Sequence, residues 1–156
     1  MATEEVYSLL LPLEGTRLLL PNAIVAEVVG FSEPQPLTGD HPEWLLGEIT
    51  WQGQQVPVIS FEAMRSGGRP AELNPRARVA ILNCIMGASD LVSVGVVTEG
   101  HPHLVRVDSH ILTYDDRQQP EPDTAVLARV FIANAEALIP NLEFIETRLA
   151  DIFEAA

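Results

Sequence analysis

Leu, Val and Ile in this chain gather in short runs, and the runs stop at Gly, Pro, Asn or Asp. Runs of that length, punctuated by residues that favour reversals, make strands and turns rather than long helices, so the chain reads as mainly β. Val6 to Leu13 is one strand, Glu14-Gly15-Thr16 a tight turn, and Arg17 to Leu20 a returning strand. Pro21-Asn22 interrupts this hairpin, and Ala23 to Val29 fits either a short helical turn or an extended segment. Prolines 34, 36 and 42 mark a loop. Trp44 to Trp51 and Val56 to Phe61 are the next strands, joined around Gln52-Gly53-Gln54, where glycine supplies a positive φ.

Residues 65 to 75 read as a connector. Beyond it, Arg78 to Met86 and Leu91 to Val97 repeat the strand, turn, strand rhythm, His103 to Val107 continues it, and Asp115 to Asp123 is an exposed loop. Ile145, Leu149, Ile152 and Phe153 fall near helical spacing and predict a short terminal helix.

Two pieces of the chain echo others. Ile139-Pro140-Asn141-Leu142-Glu143-Phe144 follows Val56-Pro57-Val58-Ile59-Ser60-Phe61 at an offset of 83, and the strand from Val79 follows that from Val6 at an offset of 73. The expectation is two related units in one domain spanning 1–156, each closing its sheet into a small barrel to remove exposed edges. The first barrel covers 5–64, the second 76–146, and the helix 145–156.

Composition limits what such a domain can do. The formal net charge of −13 over 156 residues argues against nucleic acid and anionic membrane as partners. All nine basic residues are arginines, which removes Schiff-base chemistry and the lysine of phosphate-binding loops. Cys84 is the only cysteine, so an internal disulfide is impossible. No basic stretch precedes an apolar one at the start, and no apolar run reaches the roughly 18 residues of a membrane span, which predicts a soluble cytoplasmic protein.

The residues offer little to catalysis. His101 and His103 would point the same way from a strand, with Asp108 and His110 close behind, the minimum for a metal-dependent hydrolase. No C-x-x-C or H-E-x-x-H spacing accompanies them, and exposed strand-edge histidines account for the same pattern. No serine lies in a G-x-S-x-G elbow, Gly67-Gly68 lacks dinucleotide-loop spacing, and the acid pairs Glu4-Glu5 and Asp115-Asp116 read as solvated charge. No catalytic residue, cofactor or metal site is therefore expected, and the chain reads as one that works through its surface.

Read in order, the residues resemble a CheW-like domain, the adaptor that couples chemoreceptors to the CheA histidine kinase. Tyr7-Ser8-Leu9-Leu10-Leu11, Leu18-Leu19-Leu20-Pro21 and Val25-Ala26-Glu27-Val28-Val29 are similar to the family's opening segments. Pro42-Glu43-Trp44-Leu45-Leu46-Gly47 and Gln52-Gly53-Gln54-Gln55-Val56-Pro57-Val58-Ile59-Ser60-Phe61 resemble its P-x-[YFW]-[VIL]-x-G block, R-G turn and V-[IV]-P-V-[IV]-D-L strand. Val79-Ala80-Ile81-Leu82, Val94 to Gly100 and Leu138 to Leu149 are similar to its later strands and final helix.

The resemblance implies two five-stranded SH3-like barrels side by side and a noncatalytic adaptor. Its partners would be a chemoreceptor tip, the regulatory domain of a CheA-type kinase, and other CheW-like proteins. It places Val25 and Glu27 at receptor contacts and Gln52 where the family has arginine, a loss of bidentate pairing. Ser60 likewise stands where the family has aspartate. Each of these residues has a plainer reading: Val25 as core, Glu27 as solvated charge, Gln52 as a turn residue. Trp44 and Trp51 read as packing residues, or as partner anchors wherever they are exposed. The Leu-rich opening looks more like the adaptors of chemosensory pili systems that govern twitching motility. The missing arginine leaves open an accessory protein that occupies one partner without bridging two.

Overall fold

The computed structural model describes residues 6–68, 70, 75–84, 91–108, 112–114, 124–132 and 134–154. The opening hairpin forms as predicted, β1 (Val6–Leu13) and β2 (Thr16–Pro21), turning at Gly15 with φ 78°. The ambiguous segment after Pro21 takes both forms in succession, a 3-10 turn at Asn22–Ile24 and then β3 (Val25–Gly30). β4 (Leu45–Trp51) and β5 (Gln54–Ile59) make the second hairpin, followed by α1 (Phe61–Ser66). β6 (Arg78–Asn83) and β7 (Ser93–Thr98) make the third, and β8 (His103–Val107) and β9 (Leu112–Tyr114) follow. β10 (Val126–Ile132), β11 (Ala135–Pro140) and α2 (Leu142–Glu154) complete the order.

The strands form two sheets. The first runs β8-β1-β2-β11-β10-β9 and is a half-barrel, and the second runs β3-β6-β7-β5-β4. Because successive side chains on a strand point to opposite faces, each sheet feeds two cores. Leu10, Leu19, Val130 and Ala137 pack inside the first sheet, and Val56, Val58, Val79 and Ile81 inside the second. Their neighbours Leu9, Leu11, Leu18, Leu20, Ile59, Ala80 and Leu82 turn the other way into a core shared by both sheets and α2. Leu11, Leu18 and Leu20 are essentially inaccessible there, each contributing about 1.5–3 kcal/mol by burial.

Several expectations need correction. The first sheet has six strands rather than five. The barrels also do not follow the division at 5–64 and 76–146, because β1 and β2 join β8–β11 while β6 and β7 join β3–β5. The duplication expected from sequence takes this exchanged form. β1-β2-β11-β10 in one sheet corresponds to β6-β7-β5-β4 in the other, and each has one parallel pair, β2 with β11 and β7 with β5.

The matching register is 81 rather than 83. The Ser60 N–H donates to the Trp44 carbonyl, and the Asn141 N–H donates to the Ala125 carbonyl, both at 2.8 Å. The bulges agree, lying between Leu45 and Gly47 and between Val126 and Ala128. Each strand then enters a helix through a side-chain cap, the Ala63 N–H donating to Ser60 Oγ and the Phe144 N–H to Asn141 Oδ1. Phe61 therefore starts α1 rather than ending a strand, and α2 begins at Leu142, three residues before the expected 145. The predicted loop Asp115 to Asp123, the turn Gly87 to Asp90 and His110 lie outside the described residues.

Candidate partner-binding surface

β3 and β4 are the two outer strands of the second sheet. β3 carries a bulge between Val25 and Glu27, which shifts its alternation by one. Val25 and Val28 consequently share a face, opposite Leu82 and Ala80, and pack against the shared core. Glu27, opposite Ile81, falls on the inner side of the sheet and remains exposed. There the Trp51 indole N–H of β4 donates to Glu27 Oε2 at 2.7 Å, while its ring packs against the interior cluster of that sheet. Gln52 and Gly53 follow with φ of 46° and 74°, a two-residue hairpin loop with both residues left-handed.

The structure thus brings Glu27 to Trp51, with Gln52 beside it in the turn, and Val25 onto the neighbouring shared-core face. Trp44 lies elsewhere. It is half-buried against the shared core and lines a cavity of about 310 Å³ with Pro42, Met64, Phe144 and Ile152.

Two exposed residues were missed from sequence. Tyr7 and Leu104 are 55% and 61% exposed, and their pairings, Tyr7 with Arg106 and Leu104 with Leu9, put them on the face of the first sheet that enters the shared core. The signal lay in His103-Leu104-Val105-Arg106-Val107: Val105 and Val107 face the sheet interior, so Leu104 is left outward on an edge strand.

Other titratable groups have specific surroundings. The Arg78 guanidinium donates to His101 Nε2 at 3.2 Å, which sets a permanent positive charge against one of the two ring nitrogens a metal could use. Among the described residues, the cluster close enough to hold a cation is instead Glu14, Glu62 and Glu99, with one oxygen each within 4.8 Å of the others. Burial raises the Glu62 pKa, the neighbouring carboxylates add to this, and the Glu14 N–H opposes it by donating at 3.4 Å. Cys84 is half-buried, and burial with the nearby Glu146 carboxylate pushes its thiol up to about 12. No described helix is long and apolar enough to cross a membrane.

Two β sheets sharing one core, each strand-and-turn unit repeated in the other, define a class of duplicated β folds. A family model, the CheW-like domain, matches residues 8–143, and the chain belongs to that family. The scaffolding protein TtCheW from Thermoanaerobacter tengcongensis has a similar structure, with a TM-score of 0.73 at 19% identity over 91% of this chain and 92% of that one. Comparison with curated protein sequences gives no match. CheW-like proteins are noncatalytic scaffolds of chemotaxis signalling that couple receptors to CheA, so the chain is not an enzyme, and the hydrolase reading of His101, His103 and Asp108 falls.

Proposed function

We propose that this chain bridges a chemoreceptor tip and the regulatory domain of one CheA-type kinase, using the Val25 face and the Glu27, Trp51 and Gln52 edge of the second sheet. The observation that carries the reading is the Glu27–Trp51 hydrogen bond beside the Gln52 turn, which sets an exposed carboxylate and an exposed amide beside the partly exposed edge of an indole. The apolar receptor contact runs from Val25 and Val28 toward Tyr7 and Leu104. Other CheW-like proteins are further partners for the same edges. Acting beside receptors, the protein works at membrane-associated arrays from the cytoplasmic side. We assign the output to type IV pilus twitching motility on the Leu-rich β1 and β2, and loss of twitching in a deletion strain tests that assignment.

Calorimetry of the purified chain against the regulatory domain of each CheA-type kinase of its own genome, and against receptor tips, tests the reading. Binding to one kinase and one receptor, weakened at least about tenfold in Glu27→Ala for one of them, is expected. Binding to neither partner overturns it. A second reading is favoured by Gln52, which lacks the forked donor of the family's arginine: the protein then occupies only one partner, and calorimetry finds one interaction.

A further inference from the structure

At the margin of the shared core, two cavities adjoin α2. One, of about 310 Å³, lies between α1, the Pro42–Trp44 segment and one stripe of α2. The other, of about 470 Å³, lies between residues 37–41, Glu48 and the end of α2. Ile152 lines both, so the two neighbour each other along one side of α2 and are treated together as one groove. Its walls carry Leu37, Trp44, Met64, Phe144, Ile152 and Phe153, each only partly buried by the chain's own packing.

The rim says what chemistry fits. Asp40, Glu48 and Asp151 line the groove, and none of the three carboxylates has an ion-pair partner among the described residues. The one arginine of the lining, Arg148, lies over the Phe144 ring at 4.9 Å from its centroid. An apolar floor with an acidic rim, on a chain of net charge −13, complements a segment that offers apolar side chains and positive charge together.

We propose that this groove is a docking site for a basic amphipathic helix of a partner protein, with two or three large apolar side chains on one stripe and Lys or Arg flanking them. Trp44 and Phe144 are the aromatic anchors. The site stands apart from the Glu27–Trp51 edge and does not depend on which kinase or receptor uses that edge.

The test uses the whole protein and three synthetic 16-residue peptides: Leu and Lys in amphipathic helical order, the same composition scrambled, and the ordered peptide with Glu for each Lys. Titration is followed by the two tryptophan indole N–H signals in NMR spectra. The ordered Leu/Lys peptide should move the Trp44 signal while leaving that of Trp51 in place, and should bind at least about tenfold tighter than either control. Asp40→Asn with Asp151→Asn, which leaves the apolar packing untouched, should weaken it by about tenfold, and Ile152→Ser should do the same with an unchanged far-UV spectrum. Equal binding of the scrambled peptide means attraction to net charge alone and overturns the proposal. So does movement of the Trp51 signal instead, or unchanged affinity in the double variant.

Discussion

The Trp51 indole donates to the Glu27 carboxylate at 2.7 Å and so ties β4 to β3, the two strands that no other strand of their sheet covers on the outside. The contact is a charge-assisted hydrogen bond on an exposed surface, where such bonds give specificity of geometry more than stability. Glu27→Gln should cost less than about 1 kcal/mol and shift the tryptophan emission, while Glu27→Ala should shift it further. Chemical denaturation and fluorescence of the two variants measure both effects, and a loss of several kcal/mol would mean the bond holds the sheet closed.

Gly47 closes the P-x-W-L-x-G block because its backbone has φ 142° at the bulge and the Gln35 carbonyl lies against the place a Cβ would take. That neighbour is main chain, pinned by reciprocal hydrogen bonds between Gln35 and Glu48 at 2.8 and 2.9 Å, and cannot swing away. Gly47→Ala should destabilise the fold by more than about 2 kcal/mol. Gly95→Ala, whose Cβ would meet Val79 Cγ1 at 2.8 Å, should cost about 1–3 kcal/mol because side chains can adjust. Thermal melts that rank Gly95→Ala as the more damaging would contradict this reasoning.

Ser60 caps α1 from the position where the family has aspartate, and serine and aspartate serve that role about equally well. Ser60→Ala should lose about 1 kcal/mol. Ser60→Asp should lose less, since a carboxylate at a helix start also meets the helix dipole favourably. Urea unfolding of the three proteins gives the order directly.

Cys84, with its thiol pushed up to about 12, is nearly all protonated at pH 8 and should react with a disulfide reagent at least about tenfold more slowly than in the unfolded chain. The sign of the linkage follows. Above about 9, the ordinary range of a cysteine thiol, the unfolded chain loses this proton first, so stability falls as pH rises from about 9 towards 12. Cys84→Ser should flatten that part of the stability curve.

Glu62 shares its surroundings with Glu14 and Glu99, and its raised pKa means the folded state binds the proton more tightly than the unfolded one. Stability from this group is therefore present at low pH and lost as pH rises through the folded value above 4.5. Glu62→Gln should be at least as stable as the parent at pH 7, with the gap closing in acid. Melting curves across pH 4 to 7 provide the check.

The sequence by itself determined the strands up to β8, because alternation of apolar side chains and turn residues such as Gly15 and Gly53 are local properties, but β9 and β10 were not read from it. It also carried the duplication and the ordered motifs of the family. It placed Val25, Glu27 and Gln52 on neighbouring segments, but it gave no sign that Trp51, rather than the residue in the arginine's place, would hold Glu27. That pairing joins residues 24 positions apart across a sheet, and it depends on a bulge at Val25 and Glu27 that has no residue signature.

Tertiary structure alone decided which hairpin joined which sheet. β1 and β6 have the same pattern and either would bury its leucines and valines in either half, so local preference is silent on the exchange. The choice follows from the shared core, where Leu9 and Leu11 of one hairpin and Ala80 and Leu82 of the other meet α2 together. The same packing opens the groove at Trp44, since burial there is a property of three segments distant in the chain.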